Sequence, residues 1–519
     1  MNRREFLKHT AVGAPASAWV TAGFSFPAAT PGAQLKAGFA ERDITPDIGM
    51  EKPGNYIKAF HRRFHDPCKI RVAVFDDGRK RVALVGVDAL MIPRHLVLAA
   101  RKQIQQQCGI PPDAVLIGAS HSHSSGPVGM IQPGEYDFAS SLVKKLAYQI
   151  SQCADAGYLE RVQTEIVAAV CHADSLRVEA RCGFGSGREE KVAYNRRFRM
   201  KNGLTWTYPG QGNPDIIGYA GPIDPEVGVI GTWNKSGQLL GCVVNYACHA
   251  DASPDEISAN WIYYLEKTIR GAMGEDVIVV FLQGACGDVE NENQLTSYKP
   301  LEGEDAPRLV GERVGAEAVK VLVTAYPGDF SPLDAASRVL QIKRRVPDPE
   351  RVRKCIEVAQ GEKEEKRDTR WIFAKEIVLL DALLAQHPVA EVEVQAVQVG
   401  PAVFLSNPAE LFCQFGLDIK SKSPFKFTYP VELANGCVGY VPTEEAFGPH
   451  GGGYETRLTS YSNLEPTAGR QMVETALELA GKLKPGAVPE PPKAAPFDPR
   501  EYGIGSHPWS KGNVPPELS

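Results

Sequence analysis

The chain has 519 residues, of which 43% are hydrophobic and 23% charged, and 62 acidic against 57 basic side chains give a formal net charge of −5. This ordinary globular composition excludes a disordered chain, a collagen-like chain and a polytopic membrane protein. There is no basic excess, which argues against a nucleic-acid partner. By length the chain could hold about three domains of ~150 residues, although one large α/β domain can also run this long.

Residues 1–33 are predicted to be an export signal. Residues 2–8 read N-R-R-E-F-L-K, which resembles the twin-arginine motif, and a weakly apolar stretch and then small residues follow it. A basic amphipathic helix is the alternative, and it explains the order of these regions less well. We therefore expect a periplasmic or extracellular protein. The mature chain has no other stretch that reaches the ~18 apolar residues of a membrane span.

Strand and helix patterns alternate through the rest of the chain. Runs rich in Val, Ile and Leu predict buried strands at Ile70–Phe75, Arg81–Val87, Ala114–Ala119, Val277–Leu282 and Val397–Leu405. Helical periodicity predicts helices at Leu96–Gln107, Ser140–Ser151, Tyr263–Met273, Leu309–Thr324 and Pro408–Lys420. The alternation favours one large layered α/β domain with mixed sheets over residues 34–484.

Two segments have a different composition. Pro349–Gln386 is highly charged, which predicts a solvated helical excursion on the surface. Residues 485–519 are rich in proline and lack periodicity, which predicts either an extended tail along the surface or a disordered end.

Polar residues follow five of the apolar runs. These segments are Ala119–Pro127, Asn245–Asp251, Phe281–Asn291, Phe404–Glu410 and Leu433–Thr443. Ligands of open α/β sheets bind outside the carboxyl ends of strands, so the five segments predict one shared site. The histidines in them, His121, His123 and His249, are each a modest signal, because surface-loop or core histidines are common.

The order of short motifs resembles the neutral/alkaline (non-lysosomal) ceramidase family. The resemblance covers residues 36–480 and starts at Gly38–Pro46, where the chain has the pattern G-x-x-x-x-D-I-T-P. It continues through His65–Pro67, the H-S-H-S-S-G-P run, Asn195-Arg196, Asp224–Val227, Asn245–His249, Gly287-Asp288, Pro408–Glu410, Tyr440 and Tyr454-Glu455.

The resemblance implies one zinc ion per chain, held by His121, His249, Glu410 and Tyr440. Two imidazoles and a carboxylate are usual ligands of a catalytic zinc, while a phenolate is a rarer ligand whose pKa the metal would depress. Zinc lowers the pKa of its bound water to ~7, which supplies a nucleophile at neutral pH. The family therefore implies an exported zinc-dependent amidohydrolase that cleaves a linear amide, an N-acyl sphingoid or a related N-acyl substrate.

The resemblance also assigns catalytic roles. His123 would take the proton from the attacking water and pass it to the leaving amine. Arg196 and Tyr454 would polarise the scissile carbonyl and stabilise the oxyanion. Asp66 and Asp288 could orient the metal ligands, with structural roles as an equal alternative.

Two departures from the family concern the substrate. Glu290 stands where ceramidases have a serine near the scissile amide, so an expected anion replaces a hydroxyl donor and makes this residue a candidate for substrate selectivity. Several relatives also carry a C-terminal immunoglobulin-like domain of ~100 residues, and the proline-rich tail is too short to form one. These departures leave ceramide open as the substrate.

Three alternatives remain from the sequence. The same zinc site could act on a non-lipid ester, amide or sugar derivative. Two histidines and a tyrosine could instead bind copper in an exported redox protein, although no His-Cys-Met arrangement or flavin motif supports this. The chain could also be a binding or scaffold protein with a degenerate site, but the presence of all four candidate ligands argues against it.

Overall fold

The computed structural model describes residues 35–251, 256–361 and 368–496. The predicted export signal and the tail beyond residue 496 lie outside the described residues. Among the helices of the described ranges, none has the length and apolar character needed to cross a membrane.

The strands of the described residues form two main sheets and three small ones. In chain order they are β1 (Lys36–Asp43), β2 (Lys69–Asp76), β3 (Arg81–Val87), β4 (Val115–Ala119), β5 (Val178–Arg188), β6 (Tyr194–Asn195), β7 (Arg197–Met200), β8 (Thr205–Thr207), β9 (Ile216–Tyr219), β10 (Glu226–Asn234), β11 (Leu239–Tyr246), β12 (Ile278–Gln283), β13 (Val289–Glu290), β14 (Leu333–Lys343), β15 (Val389–Val399), β16 (Ala402–Ser406), β17 (Glu410–Leu411), β18 (Phe427–Val431) and β19 (Tyr440–Val441).

The described residues also form α-helices, several of which pack on these sheets. They are α1 (Arg94–Cys108), α2 (Ser141–Lys144), α3 (Ala156–Ser175), α4 (Trp261–Met273), α5 (Asp305–Thr324), α6 (Pro349–Gly361), α7 (Thr369–Gln386), α8 (Cys413–Lys422) and α9 (Ala468–Lys482). The amphipathic helix α3 packs on β1 and β2, α5 packs on β5 and β10, and α9 packs on β15.

The eight-stranded sheet has the order β12-β11-β10-β5-β1-β2-β3-β4, and the four-stranded sheet has the order β14-β15-β16-β18. Both are mixed, as the sequence predicts. Three pairs in these two sheets are parallel: β3 with β4, β11 with β12, and β16 with β18. Each pair is joined by one helix, respectively α1, α4 and α8, because parallel neighbours need a crossover connection. The carboxyl ends of β4, β11, β12, β16 and β18 lead into the five polar segments that the sequence predicts to share one site.

Two of the predicted elements are wrong in detail. The run Val397–Leu405 is not one strand, because Gly400, with φ of 56°, turns the chain between β15 and β16. The helix predicted from Pro408 begins only at Cys413. Glu410 lies instead in β17, where it pairs with Tyr440 of β19.

In the described parts of the charged segment Pro349–Gln386, α6 is largely exposed, as expected for a solvated surface helix, whereas the middle of α7 is buried. Helix α7 buries Trp371, Leu379 and Leu380, together with the charged Lys375, which has no exposed surface. The apolar residues of α7 therefore decide that this helix is buried, although the segment as a whole is highly charged.

The described part of the proline-rich tail, residues 485–496, contains no helix or strand. Gln398 donates a hydrogen bond of 2.6 Å to the carbonyl of Lys484, and the amide of Gly486 donates one of 3.0 Å to the carbonyl of Gly400. The start of the tail is therefore attached to the end of β15 and to the turn between β15 and β16.

A buried ion cluster joins α4 to the first sheet. Glu266 of α4 forms ion pairs with Arg71 and, at 2.9 Å, with Lys69, and Arg71 also lies 2.8 Å from Asp88. Burial alone would raise the pKa of Glu266, but Arg71, Lys69 and Arg270 outweigh it and lower the pKa to about 2.

We predict that Glu266→Gln lowers the free energy of unfolding by about 3 kcal/mol at pH 7, because the pKa of this carboxyl falls from 4.5 to about 2 on folding. A depressed pKa stabilises the fold above pH 4.5, and the effect is lost as the pH falls from there toward 2. Urea unfolding of both proteins across this range measures the difference. Glu312→Gln on the exposed face of α5 is the control, with an expected change below about 0.5 kcal/mol. A pH-independent difference would contradict the prediction.

Candidate metal centre and active site

Strand ends from both main sheets place the candidate ligands together. His121 follows β4, and His249 follows β11. Glu410 is held by the pairing of β17 with β19, where its amide donates 2.9 Å to the carbonyl of Gly439. The predicted convergence of these segments is therefore observed.

The Nε2 atoms of His121 and His249 each lie 3.2 Å from Oε2 of Glu410. All three side chains are buried. Among the described residues, Nε2 of His249 and Oε2 of Glu410 have no hydrogen-bond partner of acceptable geometry. Three strongly polar atoms thus meet at one buried point without satisfying one another.

Backbone carbonyls fix the orientation of both rings. Nδ1 of His121 lies 3.0 Å from the carbonyl of Leu90, and Nδ1 of His249 lies 2.8 Å from the carbonyl of Cys286. A carbonyl only accepts, so each Nδ1 carries the proton in this assignment, and each Nε2 presents its lone pair to Glu410. This is the tautomer in which a histidine ligates a metal through Nε2.

The arrangement fits a divalent cation. Ligand atoms 2.0–2.1 Å from a tetrahedral zinc are about 3.3 Å apart, which is close to the separations observed here. Burial disfavours the charged form of both groups, yet Glu410 raises the pKa of His121, and the histidines hold the pKa of Glu410 well below its usual range. The donor set of two imidazoles and one carboxylate is that of a catalytic zinc site.

His121 has a φ of 63°, an unfavourable backbone conformation for a residue with a Cβ atom. The neighbouring backbone holds it there: the amide of Ser120 donates to the carbonyl of Val87 at 2.9 Å, and that of His123 to the carbonyl of Ala250 at 3.0 Å. Such strain costs of order 1–3 kcal/mol and concentrates at functional sites.

His123 lies beside the ligands. Its Nε2 is 3.3 Å from Nε2 of His121, and ligand atoms of His121, His123 and His249 all lie within 4.8 Å of one another. A Cβ at Gly54 would approach Nδ1 of His123 to 2.4 Å, so this wall of the site requires glycine. Burial and then the charge of His121 lower the pKa of His123 to about 3, which favours the neutral ring. The geometry is compatible with a base or with a third imidazole ligand.

Tyr440 is next to the ligands, but its hydroxyl is engaged elsewhere. Its ring stacks on that of His249 at a centroid distance of 6.5 Å. The hydroxyl oxygen lies 2.5 Å from that of Tyr454 and accepts 3.1 Å from Nη2 of Arg196. Burial and the carboxylate of Glu410 raise the pKa of Tyr440 well above 10, which disfavours the phenolate in the absence of a metal.

Arg196 is almost completely buried and is held by several partners. Its Nε donates 3.0 Å to Glu455, and its Nη2 donates 2.9 Å to the carbonyl of Gly287 and 3.0 Å to the hydroxyl of Tyr454. The predicted pair of Arg196 and Tyr454 is therefore in direct contact and adjoins Tyr440.

A cavity of about 60 Å³ opens over the cluster. It is lined by residues from loops and from the small strands β17 and β19: Gly54, Tyr56, Leu90, His121, His123, Met130, Glu410, Tyr440, Tyr454 and Tyr461. Three candidate ligands, the candidate base and Tyr454 thus face one space large enough for a few water-sized groups, while His249 does not line it.

Glu290 lies in β13, with 2% of its surface exposed. Its Oε2 accepts 2.5 Å from the hydroxyl of Tyr208, which in turn is 3.4 Å from Nη1 of Arg196. Its Oε1 has no hydrogen-bond partner among the described residues. Burial and the charge of Asp251 raise the pKa of Glu290 well above its usual range, which favours a neutral carboxyl over the expected anion.

Neither of the two supporting aspartates contacts a candidate ligand side chain. Asp66 binds the hydroxyl of Ser258 at 2.5 Å and lies 2.7 Å from Nδ1 of His65. Asp288 accepts 2.8 Å from Asn195 and 2.8 Å from the amide of Cys413. Asp288 therefore joins the segment before Arg196 to the start of α8, whereas Asp66 fixes the segment before α4.

Three residues of the site are missed by the sequence patterns. Tyr461 donates 2.7 Å to Oε1 of Glu410, which leaves Oε2 directed at the histidines. Tyr208 bridges Arg196 and Glu290. Glu432 accepts hydrogen bonds from the amides of Cys286 and Leu411. All three follow turns or strand ends, where no periodicity identifies an inward side chain; only the aromatic and acidic residue types could have been a signal.

Comparisons with known proteins support the resemblance inferred from the motifs. The neutral ceramidase of Pseudomonas aeruginosa is 24% identical over 279 residues, which is 51% of this chain and 38% of that protein. The chain therefore aligns with well under half of that curated relative. No protein-family profile matches.

Solved structures confirm the fold. A crystal structure of the Pseudomonas aeruginosa neutral ceramidase has a TM-score of 0.64 at 18% identity, and a ceramidase complexed with C2 has a TM-score of 0.65 at 17% identity. Both alignments cover 88% of this chain and 77% of the other. The predicted resemblance to the neutral ceramidase family and the predicted mixed α/β fold are thus confirmed.

We predict that His249→Ala removes most of the bound zinc, because it deletes one of three converging donors. Elemental analysis after dialysis against zinc should give about one equivalent for the unaltered protein and a small fraction of that for the variant. His61→Ala is the matched control, since His61 is buried and lies 2.8 Å from the carbonyl of Ser125 but is outside the cluster. Thermal unfolding verifies that both variants fold. Equal zinc contents in both variants would contradict the site, and copper with a visible absorption band would contradict zinc.

Proposed function

We propose that this chain is a ceramidase-like, zinc-dependent amidohydrolase that cleaves a linear N-acyl amide. One observation carries the proposal: lone pairs of His121 and His249 converge with Glu410 at a buried point, and each ring is oriented by a backbone carbonyl. The similarity to a neutral ceramidase supports amide hydrolysis as the reaction class.

We assign the metal to His121, His249 and Glu410, with Tyr440 as the fourth ligand. Tyr440 pairs with Glu410 across β17 and β19, and its ring stacks on that of His249, so it lies beside the other three candidate ligands. A bound zinc ion supplies Lewis acidity, which polarises a carbonyl and acidifies a water molecule.

His123 is proposed as the general base and acid. It lies beside His121 in the lining of the cavity, and a neutral imidazole has one ring nitrogen that can accept a proton. In this role His123 takes one proton from the attacking water and gives it to the leaving amine, so that the ring is neutral again at the end of the reaction.

Arg196 and Tyr454 are proposed to hold the carbonyl oxygen of the substrate. Glu455 and the carbonyl of Gly287 fix the guanidinium, so its charge needs no reorganisation as the oxyanion forms. Tyr454 lines the cavity and supplies the hydroxyl donor.

The substrate is proposed to be an N-acyl sphingoid or a related N-acyl compound. A neutral Glu290 carries an O–H donor, as the family serine does, but its carboxyl is larger and has a second acceptor oxygen. This difference supports a more polar substrate as the second candidate, that is, a non-lipid amide, ester or sugar derivative.

We also propose that residues 34–484 are the catalytic domain, that residues 485–519 are a proline-rich C-terminal tail, and that residues 1–33 direct export by the twin-arginine route. The residue pattern N-R-R-E-F-L-K supports the export route. The convergence of segments that follow strands of both main sheets supports a single catalytic domain. The protein would then act in the periplasm or outside the cell.

We predict that His123→Ala lowers kcat by about 10²–10⁴-fold while zinc content stays unchanged. The metal-loaded mature protein is first screened against N-acyl sphingoid, N-acyl amino-acid and acylated sugar substrates, and the best substrate is then used. Full activity of the zinc-loaded variant would refute the acid/base role. Loss of zinc would instead make His123 a ligand.

A second prediction concerns selectivity. Glu290→Ser should raise the turnover of lipid amides relative to polar amides, because it restores a small hydroxyl and removes a buried carboxyl beside Arg196. The ratio of kcat/KM for the two substrate classes is the measurement. Glu292→Ser, at a partly exposed position two residues further on, is the control and should leave the ratio unchanged. An unchanged ratio in Glu290→Ser would show that this residue does not set selectivity.

A further inference from the structure

A second buried carboxylate, Glu432, lies behind the candidate metal centre. It follows β18 directly and has no exposed surface. Among the described residues it takes part in no ion pair with a basic side chain. A buried carboxyl of this kind is costly unless its oxygens accept hydrogen bonds, so its contacts show what it supports.

Three donors surround Glu432, and they come from two segments of the chain. Its Oε2 accepts 3.0 Å from the amide of Cys286 and 2.9 Å from the amide of Leu411. Its Oε1 accepts 2.9 Å from the thiol of Cys286. One carboxyl therefore ties the loop after β12 to strand β17.

Both segments support a candidate ligand. The carbonyl of Cys286 accepts from Nδ1 of His249 at 2.8 Å, and Leu411 directly follows Glu410. The amide of Gly287 donates 2.9 Å to the carbonyl of Leu411, which makes the junction between the segments reciprocal.

Gln283, the last residue of β12, extends this network to the loop that carries His249. Its Nε2 donates 2.6 Å to the carbonyl of Cys248 and contacts the sulfur of Cys286 at 2.7 Å. The amide of Glu432 donates 3.0 Å to the carbonyl of Gln283. The ends of β11, β12 and β18 are thus fixed to one another at Glu432.

We infer that Glu432 is a positioning residue of the metal centre, which holds His249 and Glu410 at the separation that a cation requires. The inference rests on the proposed metal-dependent function. Glu432 itself contacts neither ligand side chain, so it acts through the backbone of Cys286 and Leu411. Without its carboxyl, two buried amides lose their acceptor, and both the carbonyl that orients His249 and the strand that carries Glu410 are free to shift.

The test is the affinity of the intact protein for zinc, measured by competition with a chromophoric chelator, together with the visible spectrum of the cobalt-loaded protein. Glu432→Ala should weaken zinc binding by about 10–100-fold and alter the cobalt spectrum, as loss of a group that orients metal ligands does. Glu432→Gln keeps one oxygen that can accept from both amides, so its affinity should stay within a few-fold of the original.

Asp77→Ala is the control for a purely structural effect. Asp77 is also buried, and it accepts 2.8 Å from the amide of Lys80 and 3.1 Å from that of Leu333, away from the metal centre. This variant should lose thermal stability with an unchanged zinc affinity and cobalt spectrum.

The outcomes separate the two proposals. If the unaltered protein binds no zinc, the proposed metal-dependent function is wrong. If it binds zinc and Glu432→Ala binds equally well with the same cobalt spectrum, the role of Glu432 is refuted. Should Glu432→Ala fail to fold, Glu432→Asp decides: its shorter side chain cannot reach both amides, so a few-fold weaker zinc binding supports the role and unchanged binding overturns it.

Discussion

The site depends on three buried polar atoms that lie close together without a hydrogen bond of good geometry between them. They are Nε2 of His121, Nε2 of His249 and Oε2 of Glu410. Two imidazole nitrogens face a carboxylate oxygen at 3.2 Å, and Nδ1 of each ring is directed to a backbone carbonyl. All three side chains are buried. Such an arrangement is unfavourable by itself and becomes favourable when a divalent cation occupies its centre. The strained backbone of His121 adds to this cost, so the surrounding structure must impose the geometry.

Three crossover connections impose it. Each joins a parallel strand pair through one helix, so the carboxyl ends of β4, β11, β12, β16 and β18 lead into one region. Two of these pairs lie in the eight-stranded sheet and one lies in the four-stranded sheet. The candidate metal centre therefore lies at the junction of the two sheets. Glu432 and Gln283 fix the strand ends there, and Asp288 and Arg196 connect the same junction to the small strands that carry Tyr208 and Glu290.

Sequence patterns predict the parts of this arrangement that depend on local periodicity. Strand β3 is predicted to the residue, and the apolar runs before His121 and His249 place both at strand ends. Glu410 was expected to open a helix, because its pairing with Tyr440 joins residues that are 30 positions apart and leaves no periodic signal. Tyr461 and Glu432 were not identified for the same reason: their roles come from tertiary contacts. The local sequence also does not reveal the burial of Glu290, which raises the pKa of its carboxyl.

The most direct test of the account is a crystal structure of the zinc-loaded protein with anomalous diffraction recorded on both sides of the zinc absorption edge. The account predicts one strong anomalous peak per chain, about 2.0–2.2 Å from Nε2 of His121, Nε2 of His249 and a carboxylate oxygen of Glu410. Nδ1 of each histidine should still face the carbonyls of Leu90 and Cys286. A peak at other residues, or no peak between these three side chains at saturating zinc, would contradict it.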